Sequence, residues 1–255
     1  MRVIVTRPLA QAVDWVSHLR ALAIDAVALP LIGIAPVVDP SALRSAWHGL
    51  ARQRLVMFVS PNAAERFFAQ RPLDAAWPST VLAGSPGPGT TRALIGLGVA
   101  ADRVVEPASD APQFDSESLW LELRGHDWRG ASVLIVRGDG GRDWLAETLR
   151  QAGAEVAHVA AYRRVAPVFD RHATALLRAA VDEPASHLWF FSSSEAIDNL
   201  AAASPVAAGA DWSQAGAIAT HWRIAARARQ LGFARVTESR PSVAAVVACI
   251  QLLQP

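Results

Sequence analysis

LVMFVSPNAAERFF at residues 55–68 and LWFFSSSEAIDNL at residues 188–200 follow one plan: a continuously apolar strand, a serine, then a helix. A second pair repeats in the same way, RVIVTRPLAQAVDWVSHLRALAIDAV at 2–27 and SVLIVRGDGGRDWLAETLRQAGAEV at 132–156. In that pair Arg7 aligns with Arg137, Leu19 with Leu149, Arg20 with Arg150 and Asp25 with Glu155. Short strands rich in Val, Ile, Leu and Phe are expected at 2–6, 26–30, 55–59, 80–83, 132–136, 155–159, 188–191 and 215–219. Amphipathic helices are expected at 9–22, 62–70, 90–97, 142–152, 194–203 and 222–231. Strands alternating with helices indicate an α/β fold with parallel sheets. Strands without a polar alternation, such as VLIV at 133–136, indicate sheets covered on both faces. Gly153 and Gly232 follow helical stretches as C-terminal caps, and Ser116 and Ser242 are placed to open helices as N-caps.

The order of the copies is shifted. The first half runs from the Ser60 strand-turn-helix through VLAGSPGPGTTRALIGLG, VVEP and the DSESL helix to VLIVRGDGGRDWL. The last half runs from the Ser192 strand-turn-helix through AGAIATHWRIAARARQLG, VTES and the Ser242 helix, and then lacks its final unit. The N-terminal VIVTRPLAQAVDWV is the matching piece. Residues 1–35 are therefore expected to complete a lobe with 168–255, and 39–161 to form the other. The chain would cross twice, at 36–38 and 162–167. The expectation is two similar doubly wound parallel-sheet lobes joined by a two-stranded linker, with a cleft between them.

Composition narrows the function classes. The 255 residues are 52% apolar with a formal net charge of +1, and no basic block or RNA-binding signature is present, so nucleic acid is not an expected partner. The 24 basic residues are all Arg. A lysine Schiff base is excluded, and an anion site must use Arg forks or backbone N–H groups. The single cysteine, Cys249, forms no intrachain disulfide and sits in VVACIQLL, read as a buried helix face. The start RVIV is a strand without a signal-peptide pattern, and no apolar run is long enough to span a bilayer. A soluble cytoplasmic protein without membrane contact is expected.

Five strand ends carry polar or glycine-rich turns: TRP at 6–8, SPN at 60–62, GPGT at 87–90, RGDGGR at 137–142 and SSS at 192–194. In a parallel sheet such turns share one edge, where helices begin with outward N–H groups and a positive dipole end. That surface suits a ligand with several carboxylates. Ser60, Asn62, Gly87, Thr90, Ser192 and Ser193 are its candidates, although the hydroxyls among them equally suit caps of their own helices. Arg7 and Arg137 occupy equivalent strand ends, open to anion binding or to a structural ion pair, and Gly138 follows Arg137. RGDGGR lacks both the GK[ST] ending of a phosphate loop and the GxGxxG spacing of a dinucleotide fold. The seven histidines are scattered without HxxxH or HxH pairs, so no metal site is expected. Tyr162, the sole tyrosine, lies in AYRRV at the second crossing, either as a proton donor facing the cleft or as a packing residue.

Taken together, VTRP, FVSPNA, GPGT, DSESL, VLIVRGDGGRDWL with GAEV and AYRRV, FFSSSEA, AIAT and TES resemble the uroporphyrinogen-III synthase family over nearly the whole chain. The resemblance implies two α/β lobes and no cofactor. It implies that the substrate is hydroxymethylbilane, a linear tetrapyrrole bearing acetate and propionate arms. The implied reaction is dehydrating cyclisation to uroporphyrinogen III, in which ring D is inverted through a spirocyclic intermediate. By motif, the family's tyrosine falls on Tyr162, expected to assist hydroxyl departure, and its site hydroxyls on Ser60, Thr90 and Ser192. The second Gly-x-x-Thr turn departs from the pattern: this chain has AIATHW, with Ala219 for Gly and Thr220 and His221 as the remaining candidates. A monomeric synthase is the expectation. The alternatives are a non-catalytic bilobed ligand-binding protein and an inactive synthase paralogue.

Overall fold

The computed structural model describes residues 1–202, 206, 207 and 209–253. In chain order its elements are β1 (Arg2–Val5), α1 (Leu9–Ala21), β2 (Ala26–Ala28), β3 (Gly33–Pro36), α2 (Ser41–His48), β4 (Leu55–Phe58) and α3 (Pro61–Phe68). Next come β5 (Leu82–Gly84), α4 (Pro88–Gly96), β6 (Val104–Val105), α5 (Ser116–Leu123), β7 (Ser132–Gly138), α6 (Trp144–Gln151) and β8 (Glu155–Val165). The remainder are α7 (Arg171–Asp182), β9 (His187–Phe191), α8 (Ser194–Ala202), β10 (Gly216–Ala219), α9 (Trp222–Leu231), β11 (Arg235–Glu238) and α10 (Val243–Leu253). The chain divides into two compact units, residues 1–33 with 165–255, and residues 34–164.

The first unit holds a five-stranded sheet ordered β11-β10-β9-β1-β2, parallel at every pairing. Both faces are covered, as continuously apolar strands require. On one face Val3, Val5, Leu188, Phe190 and Ile218 pack under α1 and α10 through Trp15, Val16, Leu19, Val246 and Ile250. The other face carries an aromatic cluster: Trp189 stacks on Phe191 at 5.8 Å and meets Trp212 edge-on at 5.5 Å, while Trp212 stacks on Phe233 at 5.2 Å. α9 ends where Gly232 takes φ +113°, a left-handed turn that L side chains disfavour.

The second unit holds a six-stranded sheet ordered β3-β8-β7-β4-β5-β6, parallel from β8 through β6. Val56, Phe58, Leu134, Val136, Val159 and Ala161 face α2, α3 and α4. Leu55, Met57, Val133 and Ile135 face α5 and α6. Alternate residues of one strand thus enter two separate cores, the signature of a doubly wound sheet. The α2–α4 side is aromatic: Phe67 stacks on Trp47 at 4.9 Å and meets Phe58 at 5.5 Å, and Trp47 Nε1 donates to the Phe67 carbonyl at 2.7 Å.

Some local expectations need correction. The α5 N-cap is Asp115, not Ser116: its carboxylate accepts from the Ser118 N–H at 2.9 Å, and a charged acceptor at a helix start outcompetes a hydroxyl. Cys249 is half-buried, with Sγ 3.9 Å from the Glu238 carbonyl. Helices α2 and α7 are additions to the expected elements, and the helix expected at 194–203 extends to Ala203, which lies outside the described residues. The extended segments at the unit boundaries are β3, ending at Pro36, and the tail of β8, which keeps Tyr162 inside a sheet strand.

Because Phe67 is fully buried among aromatic rings, Phe67→Ala leaves a cavity that its stiff neighbours cannot fill. It should destabilise folding by about 3–5 kcal/mol, read as a shift in the urea unfolding midpoint at unchanged slope.

Candidate functional site

In each unit the parallel strands deliver their C-terminal ends, and the helix N-termini that follow, to one sheet edge. In the second unit β4 leads through Ser60 into α3. The Ser60 side chain accepts from the Ala63 N–H at 3.2 Å, and Pro61 occupies the first helical position, where no N–H is needed. Asn62 is buried in that first turn. The α4 start lies beside it, since a Cβ on Gly89 would stand 3.9 Å from Pro61 Cγ.

The GPGT turn is held from beneath by residues outside the candidate set. Ser85 is fully buried. Its Oγ donates to the Gly87 carbonyl at 2.8 Å and accepts from the Gly87 N–H at 3.2 Å. Thr91 Oγ1 lies 2.9 Å from Ser85 Oγ and donates to Glu106 Oε2 at 2.7 Å. A side chain at Gly87 would crowd Phe114, since a Cβ there would stand 3.0 Å from Phe114 Cβ. Thr90 is buried, its N–H bonded to the Gly87 carbonyl at 3.0 Å. Ser85 carries a local sequence signal, since a serine hydroxyl can bond the backbone two residues on and hold a turn.

Tyr162 is 1% exposed and belongs to the core beneath α2–α4. Its hydroxyl lies 3.2 Å from Ser60 Oγ. Gly138 makes room for the ring: a Cβ there would stand 2.9 Å from Tyr162 Cε2 and 3.1 Å from Cζ. The β7–β8 register shifts between Arg137 and Gly138, which brings Gly138 opposite Tyr162. Ser60, Gly138 and Tyr162 therefore form one contact, with the Gly87–Thr90 turn as its neighbour through Gly89 and Pro61.

Arg137 sits apart from that contact, in a close ion pair with Asp143. His158 Nε2 lies 3.5 Å from the Asp143 carboxylate and makes no hydrogen bond. Burial first, then the Arg137 charge, pushes the His158 imidazole below its ordinary value near 6.5. Arg150 adds to the lowering, while Asp143 opposes it. Arg142 grips Glu117 through both nitrogens at 2.7 and 3.0 Å, tying the RGDGGR loop to α5.

In the first unit Thr6 is buried and donates to the Phe190 carbonyl at 2.8 Å, fixing the TRP turn to β9. Arg7 donates to Gln11 at 3.1 Å and lies 5.5 Å over the Trp15 ring. Ser192 and Ser193 are half-buried between β9 and α8. Thr220 is buried, with its N–H on the Phe191 carbonyl at 3.1 Å. His221 is the N-cap of α9, its Nδ1 accepting from the Arg223 N–H at 3.1 Å. Trp222 follows it and is 53% exposed.

A family model described as Uroporphyrinogen-III synthase HemD matches residues 13–248. The chain belongs to the uroporphyrinogen-III synthase family. Uroporphyrinogen-III synthase of Escherichia coli K12 is 32% identical over 173 residues, covering 67% of this chain and 68% of that protein. The Proteus mirabilis synthase is 29% identical over 170 residues, covering 65% and 81%. Among solved structures, a mutant synthase of Thermus thermophilus aligns with TM-score 0.59 at 15% identity over 99% of this chain and 98% of its own. The Helicobacter pylori 26695 synthase aligns with TM-score 0.58 at 14% identity over the full length of both. At those identities the likeness is one of fold: the family keeps two α/β lobes while its side chains diverge. Among the described residues no cluster of His, Cys, Asp and Glu could hold a metal, and no helix is long and apolar enough to cross a membrane.

Ser85→Ala removes a fully buried hydroxyl and strands the Gly87 N–H, while the Gly87 carbonyl keeps the Thr90 N–H at 3.0 Å. It should lower stability by about 1–3 kcal/mol, measured by thermal unfolding. His158 is easier to protonate unfolded than folded, so its contribution to stability is complete above pH 6.5 and is lost as pH falls through its lowered folded value. His158→Gln should therefore flatten the drop in urea midpoint between pH 7.5 and pH 5.5 relative to the unaltered protein.

Proposed function

We propose that this chain cyclises hydroxymethylbilane to uroporphyrinogen III with ring D inverted, acting as a cytoplasmic monomer without a cofactor. The observation that carries this reading is the family match across residues 13–248. The chemistry is chiefly one of orientation. Loss of the terminal hydroxyl leaves an electrophilic azafulvene that closes to the type I isomer unaided, so the enzyme must present the substituted carbon of ring D instead. Attack there gives a spirocyclic pyrrolenine, which fragments and recloses. Holding the reacting ends close is worth several kcal/mol, roughly 7–11 in well-oriented intramolecular systems.

The residues assigned to the substrate are Arg7, Ser60, Asn62, Gly87, Thr90, Arg137, Gly138, Ser192, Ser193, Thr220 and His221, with Tyr162 assisting hydroxyl loss. Supporting this, Ser60 and His221 cap helices, Gly87 and Thr90 form the start of α4, and Ser192 and Ser193 precede α8. Such ends favour carboxylates by about 0.3–1 kcal/mol each where exposed. A second reading, a relative without activity, draws on Ala219 filling a buried strand end ahead of His221 and the exposed Trp222. The purified protein should convert hydroxymethylbilane to the type III isomer, resolved from type I after oxidation to the porphyrins. Type I alone overturns the proposal, and failure to complement a synthase-deficient strain favours the second reading.

A further inference from the structure

We infer that Ser60, not the tyrosine, meets the departing hydroxyl, and that Tyr162 is a positioning residue acting through it. The inference rests on the function proposed above and departs from the role expected of Tyr162 by resemblance. A phenol that is 1% exposed cannot touch a ligand at the sheet edge. Gly138 lies against the ring: a Cβ built there would stand 2.9 Å from Cε2 and 3.4 Å from the phenolic oxygen. Arg164 lies 5.9 Å above the ring. What the phenolic oxygen reaches is Ser60 Oγ, at 3.2 Å, and Ser60 is half-buried at the open edge of the sheet.

The valences of Ser60 fit a relay. A serine oxygen has two acceptor positions and one proton. The Ala63 N–H fills one acceptor position at 3.2 Å. With Tyr162 donating, the phenol fills the second, and the serine proton is then directed away from both. The start of α3 adds its positive end, which makes that proton easier to give up. In the step itself the carbon–oxygen bond of the hydroxymethyl group breaks, and its electron pair leaves with the oxygen. Ser60 gives its proton to that oxygen, releasing water, and takes the phenolic proton in exchange. Tyr162 is left as phenolate behind Ser60, with the Arg164 guanidinium 5.9 Å over its ring. The proton lost from the free α-carbon of ring D on final rearomatisation returns through Ser60 and restores the phenol.

The test compares Ser60→Gly, Ser60→Thr, Tyr162→Phe and the Ser60→Gly/Tyr162→Phe pair in single-turnover and steady-state assays. Glycine is tolerated at a helix N-cap, so Ser60→Gly removes the hydroxyl with little effect on the thermal midpoint. It should lower kcat about a hundredfold with KM little changed. The paired variant should be no slower than Ser60→Gly alone, since both changes cut one path. Ser60→Thr should restore most of the rate, and the solvent isotope effect on kcat should vanish in Ser60→Gly. Should Ser60→Gly fail to fold, Gly138→Ala replaces it: displacing the phenol should lower kcat alone, and an unchanged rate overturns the inference. A Ser60→Gly enzyme at full rate, with Tyr162→Phe impaired or not, also overturns it. Unaltered protein that yields only type I rejects the proposed function itself, a result distinct from any of these.

Discussion

Parallel pairing is the constraint on which the rest of this molecule depends. A strand that runs parallel to its neighbour cannot be reached by a tight turn, so the chain must return across a face of the sheet. Each return buries one helix, and helices on both faces demand strands that are apolar on both sides. LVMF in β4 and LWFF at 188–191 in β9 meet that demand, being buried at every residue. The same geometry sends every following helix off with its N-terminus at the strand C-terminal edge. Core and candidate site are consequences of one choice of strand direction.

At that edge the polar side chains are occupied with one another. Thr6 and Ser85 hold backbone carbonyls, Thr91 holds Glu106, and Arg137 holds Asp143. These bonds rigidify turns whose remaining N–H groups can then point outward without further ordering. A chain whose cations are all guanidinium suits this arrangement, because planar forks pair and stack where an ammonium would stay hydrated. Arg142 on Glu117 and Arg7 over Trp15 are instances of each.

The fold was largely readable because its strongest elements carry unambiguous patterns. Continuous apolar runs ending in a hydroxyl or glycine turn marked β4, β7 and β9, and positive-φ glycines marked the ends of α6 and α9. Helix α2 carries only a weak sequence signal, Leu43 and Trp47 on one face, because it is short and opens after Pro40. Helix α7, with Leu176, Leu177 and Ala180 on its inner face, is masked in the sequence by the proline-bearing turn that precedes it. At the candidate site, composition revealed the turns but not what holds them. The Ser85–Gly87 bonds are local, but Glu106, just past β6, meets Thr91 of α4 only through tertiary folding. The burial of Tyr162 was equally illegible. It depends on the β7–β8 register shift that sets Gly138 against the ring, a relation between two strands that neither reveals alone.

Strand β1 pairs with β9 as well as β2, while residues 34–164 form a compact unit of their own. During synthesis on the ribosome, that inserted unit has all its strands in hand before residues 187–191 emerge. β1, α1 and β2 must meanwhile wait with a bare apolar flank, because an isolated pair of strands is marginal in water. The completed neighbour then acts as a tether: its own ends are already close, so the entropy of bringing the early segment to the late one is that of a short loop rather than of the whole intervening chain. Through that interval the earliest residues wait on partners made only after the whole second unit, β9 for β1 and α10 for α1.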